Sequence, residues 1–323
     1  MAALWPLHLF MTLNIQKNIL LAPYTTFKIG GPAKYFCEAK SIGEIRELCN
    51  WAKEQKIPVL VLGGGSNVLI SDKGFDGLVI KIHNSNLKFE ENKIIADAGV
   101  NLSKIVLESV NRNLSGLEWA IGIPGTIGGA VNGNAGAFGR ATSEAVEEVK
   151  AFDILEHSVK NFKKEDCKFG YRKSIFKRNP DLIILSATFR FKKGSSGDIQ
   201  KAIKDFTRQR IESNPSGFSA GCFFVNPGWE GLRNKEELIR EFPELKQFAD
   251  RPKISAGFLI ESVGLKGKKI GGAMIAQEHA NFIVNMGKAA SKDVLALADL
   301  CRKKVKKKYG LELEVEKRLL GFD

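Results

Sequence analysis

Residues 60–70 read LVLGGGSNVLI, two apolar runs around three glycines, a serine and an asparagine. Short apolar runs bounded by turn residues read as buried strands. What lies between them is bare main chain plus neutral donors. Without Cβ atoms, successive N–H groups can turn towards an anion. The same residues would also make a tight strand-to-strand turn, and on this stretch alone the two readings stand level. The phosphate-loop pattern GxxxxGK[ST] is absent. The GxGxxG fingerprint fails too, because NVLI is strand-like where that pattern needs a helix.

A second stretch breaks the tie. GLEWAIGIPGTIGGAVNGNAGAFGR (116–140) holds eight glycines and few side chains that could build a core. A linker would be polar, yet Trp119, Ile121, Ile123, Ile127, Val131 and Phe138 stud it. Apolar residues that anchor bare main chain imply a surface moulded on a ligand. TTFKIGGPA (25–33) has the same character. Three such elements imply one large, flat, phosphate-bearing ligand between two α+β blocks, and a flavin dinucleotide fits that description.

The rest of the chain is consistent with such blocks. KYFCEA (34–39), PVLVLG (58–63) and GLVIKI (77–82) read as strands. SIGEIRELCNWAKEQK (41–56) reads as an amphipathic helix opened by a serine cap with a glutamate three residues on. KIIADAG (93–99) is a strand, and NLSKIVLESVNRN (101–113) a helix with Leu102, Ile105, Val106 and Val110 inward. EVKAFDIL (148–155) and DLIILSATFRFK (181–192) are strands, and DIQKAIKDFTRQRIES (198–213) is a helix leading to a third block. There AGFLIESVGL reads as a helix and NFIVN as a strand. LELEVEKRLLG (311–321) alternates like a strand that returns to an earlier block. The expected organisation is an N-terminal extension over 1–13, a candidate for disorder, and a first subdomain over 14–83 to which 311–323 return. A second subdomain spans 84–197 and a third block 198–310.

Composition bounds the function. The chain has 323 residues, 44% hydrophobic and 26% charged, enough for two or three soluble domains. No apolar run reaches ~18 residues, so no membrane partner is expected. MAALWPLHLFM is too short and lacks the basic start of a signal peptide, and Met11 offers a second start. Five cysteines without a CxxC pair and four histidines without HxH or HxxxH spacing leave no metal site to expect. The net charge of +13 suits a solvated surface or an anionic partner. Much of it lies in CRKKVKKKYG (301–310), after an apolar-periodic segment, as at the C-terminus of a solvated helix. No RNP, zinc-finger or helix-turn-helix pattern accompanies it, so nucleic acid is not expected.

TTFKIGGPA, GGGSNVLI, GIPGTIGGAVNGNAGAFG, YRKS, AGCFFVNP, AGFLIESVGLKGKKIGGAMIAQEHANFIVN and a terminal EKRLLG occur in this order. Over about residues 20–321 the chain thereby resembles the UDP-N-acetylenolpyruvoylglucosamine reductases, also called UDP-N-acetylmuramate dehydrogenases. The resemblance implies an α+β fold: a two-part FAD-binding domain of the vanillyl-alcohol-oxidase (PCMH) type plus a C-terminal α+β substrate domain. It implies a cytoplasmic, monomeric flavoenzyme of peptidoglycan precursor synthesis. FAD takes a hydride from NADPH and passes it to UDP-N-acetylglucosamine enolpyruvate.

The resemblance also implies site residues. FAD would lie against Gly30, Gly63, Gly64, Gly65, Ser66, Asn67, Val68, Pro124, Gly125, Thr126, Gly128, Gly129, Asn134, Ala135 and Gly136. Substrate would meet Tyr171, Arg172, Asn226, Gln277, His279 and Asn281. Arg172 would grip the substrate carboxylate with parallel bonds. Glu316 would stabilise the enolate-like charge, for which it must carry or share a proton. Glu314, two residues earlier on the same strand face, is its rival. Cys222 stands where the family usually has a proton-donating serine, and Ser219 is the alternative donor. A thiol is a stronger acid than an alcohol, provided it stays protonated at rest.

Two departures stand out. Val225 replaces a lysine often found before NP. About 50 residues separate Arg172 from Cys222, as in the shorter subclass without an inserted tyrosine loop, yet residues 228–253 form a longer connection than that subclass implies. The competing reading is another small-molecule flavin oxidase or dehydrogenase on the same fold.

Overall fold

The computed structural model describes residues 13–229 and 234–322. Apart from Leu13, the expected N-terminal extension lies outside them. Three sheets organise the chain. The first has the order Gln16–Leu20, Pro32–Ala39, Phe75–Ile82, Val59–Leu62, with the last three strands parallel and Gln16–Leu20 antiparallel to its neighbour. The helix Ile42–Glu54 supplies the crossover. Its cap is as read from sequence: Ser41 Oγ accepts from Glu44 N–H at 3.1 Å, and Glu44 Oε2 accepts from Lys40 N–H at 2.7 Å.

The second sheet is antiparallel, in the order Ser158–Lys163, Val146–Asp153, Leu182–Arg190, Lys93–Asp97, Leu87–Glu90. The helix Leu102–Asn111 buries Leu102, Ile105 and Val106 as expected. Val110 is only half-buried; Ser109 turns inward instead and donates to Val106 O at 2.7 Å. One continuous core joins these two sheets, from Ile45 and Leu48 through Ile80 and Ile105 to Phe152 and Phe189.

The third sheet runs Phe218–Cys222, Phe282–Asn285, Ala273–Ile275, Lys269–Ile270 and packs on the helices Ala256–Ser262 and Ser291–Tyr309. Its core includes Phe27, Ile29 and Leu69, so two of the three glycine-rich elements are anchored in the third block as well as the first. Further ties cross the same seam. Ser291 N–H and Oγ both donate to Asp72 Oδ2 at 2.8 Å, and Asn285 Nδ2 donates to Phe27 O at 3.0 Å. No helix among the described residues is long and apolar enough to cross a membrane, and no group of three metal-ligating side chains gathers there.

One more sequence expectation needs correction, and two stretches carry structure that the sequence reading did not assign. Residues 311–321 do not form one strand: Leu311 and Leu313 are buried without a strand partner, Val315 makes a single bridge to Phe224, and only Arg318–Leu320 pairs, in parallel with Val68–Ile70. The alternation there records burial in the third core rather than sheet pairing. The glycine-rich stretch contains the helix Ile127–Gly133, hidden because glycines depress helix propensity. Gly128 earns its place by packing: a Cβ there would lie 3.0 Å from Ala98 Cβ. Finally, the long connection 228–253 is folded where it is described. It holds the helix Lys235–Glu241 and the 3₁₀ turn Pro243–Phe248, with Leu238, Leu245 and Phe248 in the third core.

Candidate active site

The three glycine-rich elements meet main chain to main chain. Thr26 N–H donates to Gly65 O at 3.1 Å. A Cβ on Gly64 would stand 2.6 Å from Gly125 Cα. Gly65 has φ +64°, and a Cβ there would be 2.1 Å from Tyr24 O. Glycine is required at both positions by close approach, and at Gly65 also by conformation. Ser66 Oγ lies beside Gly125, 2.9 Å from where its Cβ would be.

Unspent donors line this junction. Thr126 Oγ1, between Gly63 and Gly129, is buried without a hydrogen-bond partner among the described residues. Arg210, which sequence reading did not single out, is similar. Its Nη2 donates to Trp119 O at 2.9 Å, its Nε is buried and unpartnered, and its stem lies against Gly122. Helical spacing alone gave no reason to separate it from the other basic residues of Ser196–Ser213. Bare main chain, orphaned neutral donors and a half-buried guanidinium suit a diphosphate joined to a flat ring, so these residues fit FAD.

Other residues of the expected cofactor set are engaged within the protein. Gly30 has its carbonyl bonded by Ala22 N–H at 3.2 Å, and Gly128 N–H donates to Ala98 O at 2.8 Å. Asn134, at φ +41°, donates from Nδ2 to Gly170 O at 2.9 Å and accepts on Oδ1 from Ser143 N–H at 2.9 Å. Ala135 O accepts from Thr142 N–H and Oγ1, both at 2.8 Å. Asn134 thereby braces the turn that carries Tyr171 and Arg172.

Arg172 adopts φ +58°, a left-handed conformation that costs a residue with a Cβ about 1–2 kcal/mol. Paired bonds between Gly170 and Lys173 hold the turn, at 3.0 and 3.1 Å, and Lys177 Nζ donates to Arg172 O at 3.1 Å. The guanidinium is thereby directed inward. Nε donates to Glu316 Oε1 at 3.1 Å and Nη2 to Gly136 O at 2.7 Å. Gly136 leaves room for it; a Cβ there would be 3.1 Å from Arg172 Nη1. Side-chain exposures of 22% for Arg172 and 12% for Glu316 show that this pair is largely shielded from solvent.

Cys222 ends the strand Phe218–Cys222. A register shift against Phe282–Asn285 falls between Ser219 and Cys222, with Gly221 at φ +81°. Such a bulge re-aims the side chain that follows it. Burial pushes the Cys222 thiol up to about 11; Lys317 and Arg172 pull it down and Glu316 pushes it further up. Cys222 therefore shares the field of the ion pair. Ser219 instead receives Thr26 Oγ1 on its carbonyl at 2.7 Å.

Tyr171 is exposed beside this pair, its ring 5.1 Å from Arg172 Cζ and 3.9 Å from Lys253 Nζ. Burial raises its phenol, opposed by the Arg172 charge. Asn226 and Asn281 hydrogen-bond within the protein. Asn226 Oδ1 accepts from Ala256 N–H at 2.9 Å, and the Asn281 amide bonds both main-chain groups of Phe224 at 2.9 Å. His279 Nδ1 accepts from Asn281 N–H at 3.2 Å, and burial lowers the pKa of its ring. Gln277 is exposed against Gly267. Neither is hydrogen-bonded to Arg172, Cys222 or Glu316.

Sequence reading missed Lys317. It is 6% exposed and donates to Asn67 Oδ1 and, at 2.8 Å, to Ala220 O. Nothing in the spacing marked it: Glu316 and Lys317 lie outside any strand, and both side chains turn inward, with Lys317 Nζ 4.0 Å from Glu316 Oε1.

Comparison with known proteins shows the family of this chain. Residues 212–320 match the C-terminal domain of UDP-N-acetylenolpyruvoylglucosamine reductase, and residues 33–155 an FAD binding domain. The UDP-N-acetylenolpyruvoylglucosamine reductase of Synechococcus sp. (strain JA-3-3Ab) is 40% identical over 96% of this chain and 93% of its own length. That of Clostridium novyi (strain NT) is 38% identical over 95% and 92%. The crystal structure of the Thermus caldophilus reductase superposes with a TM-score of 0.76 at 32% identity, covering 95% of this chain and 99% of that one. The chain belongs to the UDP-N-acetylenolpyruvoylglucosamine reductase family, flavoprotein oxidoreductases that use FAD and NADPH.

Proposed function

We propose that this protein catalyses the NADPH-dependent reduction of UDP-N-acetylglucosamine enolpyruvate to UDP-N-acetylmuramate, in the cytoplasm and as a monomer. Residues 14–83, with the returning 311–323, and residues 84–197 hold FAD through Gly63–Val68 and Pro124–Gly136. Residues 198–310 hold the substrate. Bound FAD supplies the hydride acceptor for NADPH and the hydride donor for the enolpyruvyl double bond.

Hydride arrival at C3 drives negative charge onto the substrate carboxylate and leaves C2 in need of a proton. Arg172 answers the first demand. Two of its five N–H groups are spent on Glu316 and Gly136 O, and the remaining three can address a carboxylate. Glu316 orients the guanidinium towards the developing enolate and so helps to stabilise it. Cys222 answers the second demand: a thiol held up to about 11 keeps its proton at neutral pH until charge develops beside it. Tyr171 stands beside Arg172.

The observation that carries this reading is that Arg172, Glu316 and Cys222, from three distant parts of the chain, share one sheltered electrostatic cluster. The test is direct. Purified protein should be yellow, and NADPH should be turned over beyond one equivalent per flavin only when the enolpyruvyl UDP-sugar is added. A yellow protein indifferent to that sugar would point instead to another flavin oxidase or dehydrogenase on this fold.

A further inference from the structure

Lys317 is enclosed more completely than any other charged side chain of this cluster, with 3% of its side chain exposed against 12% for Glu316 and 22% for Arg172. Burying an ammonium costs several kcal/mol unless its hydrogens are taken up. Here the partners come from three separate parts of the chain. Asn67 Oδ1, of the glycine loop, and Ala220 O, of the strand ending at Cys222, accept its hydrogens, and Glu316 Oε1 of the returning segment adds an opposite charge 4.0 Å away without a hydrogen bond. An unbranched apolar side chain would fill the same space without the desolvation cost, so packing alone does not ask for a charge here.

We propose that Lys317 is the positioning residue of the proton-donor site: it ties Asn67 to the strand that carries Cys222 and holds a positive charge beside the thiol, keeping it acidic enough to release its proton. This rests on the reading of Cys222 as the donor. Burial pulls the Lys317 ammonium below its usual range, opposed by Glu316 and Cys222, and Arg172 and Lys177 are the other charged groups facing it. Those facing Cys222 are Lys317, Glu316, Arg172 and Tyr171. Among the influences on Cys222, Lys317 is the largest that opposes burial. A cation favours the thiolate, so removing it makes the thiol hold its proton more tightly.

The test uses Lys317→Met and Lys317→Gln in the FAD-loaded protein. Alkylation of Cys222 by iodoacetamide at mildly alkaline pH, followed site by site by mass spectrometry, reports the thiolate fraction. Cys37, Cys49, Cys167 and Cys301 are buried and serve as internal references. Alkylation of Cys222 should slow by about three- to tenfold in both variants, since one pKa unit is tenfold in thiolate. FAD should also bind several-fold more weakly, because Asn67 loses its tie. The melting temperature of Lys317→Met should hold or rise, as is common when a buried ion gives way to an apolar side chain. A lysine that merely fills space would give a lower melting temperature with alkylation unchanged, and that result overturns the proposal. So does failure of both variants to fold. If Cys222→Ala still passes hydride to substrate at a normal rate, the donor reading fails, while the alkylation rates still decide what Lys317 does to the thiol.

Discussion

Arg172 and Glu316 stand 144 positions apart in the chain, yet Arg172 Nε–H donates to Glu316 Oε1 at 3.1 Å. The contact links distant parts of the fold, because Glu316 N–H itself donates to Phe223 O at 2.9 Å, next to Cys222. Arg172 therefore cannot be replaced without disturbing what Glu316 does. Arg172→Met should slow reoxidation of reduced flavin by the enolpyruvyl substrate about 10²- to 10³-fold, the usual loss when a donor to a developing oxyanion is removed. Flavin reduction by NADPH should stay within about twofold, since uncharged substitution leaves the glycine junction intact. Stopped-flow measurement of the two half-reactions separates these outcomes, and normal reoxidation would remove Arg172 from the mechanism.

Cys222 yields a comparison of alanine and serine. Cys222→Ala should lose substrate-driven reoxidation, whereas Cys222→Ser should keep a large part of it. The thiol is held up to about 11 by burial, so only about 10⁻⁴ of it is thiolate at pH 7. Peroxide attacks the thiolate. Inactivation should thus be slow at neutral pH and accelerate about tenfold per pH unit up to about 11, an acceleration absent in Cys222→Ser. A rate independent of pH would place the oxidation elsewhere.

Gly64 and Gly65 test the cofactor junction. A methyl group on Gly64 meets Gly125 Cα at 2.6 Å, and one on Gly65 meets Tyr24 O at 2.1 Å with φ at +64°. Neither neighbour is the end of a flexible side chain, so the main chain itself must move. Gly64→Ala and Gly65→Ala should each lose about 1–3 kcal/mol of FAD affinity or stability. Fluorescence titration with FAD reads the first and thermal melting the second. Unchanged values for both would mean that the loops tolerate separation and do not shape the flavin site.

Local pattern was legible in this sequence, and assembly was not. The Ser41 cap, the inward face at Leu102, Ile105 and Val106, and the strand at Val68–Ile70 could be read because each is fixed by neighbours within a few residues. The cluster of Arg172, Cys222 and Glu316 came from motif resemblance, not from spacing. Lys317 and Arg210 stayed invisible for a physical reason. A charged residue in an alternating or helical pattern gives no sign of which charges the tertiary fold will enclose. The strand expected over 311–321 failed likewise, because alternation reports burial and says nothing about whether a partner strand is present.

Asp72 and Ser291 offer a test of how the blocks work together. Asp72 Oδ2 takes both Ser291 N–H and Oγ–H at 2.8 Å, at the first turn of the helix Ser291–Tyr309, where a carboxylate also favours the helix dipole. The neighbouring Ser71 is bonded on one side by Gly31 N–H and donates on the other to Leu320 O, both at 2.8 Å. The turn thus joins the first glycine-rich element, the returning strand and the third block. Asp72→Ala removes a charge-assisted pair worth about 1.5–3 kcal/mol and should lower the melting temperature by a few degrees. Because the seam separates the proposed flavin and substrate regions, KM for the enolpyruvyl sugar should rise several-fold while NADPH-driven flavin reduction is kept. Equal losses in both half-reactions would show that the turn supports the flavin junction itself rather than the alignment of the third block upon it.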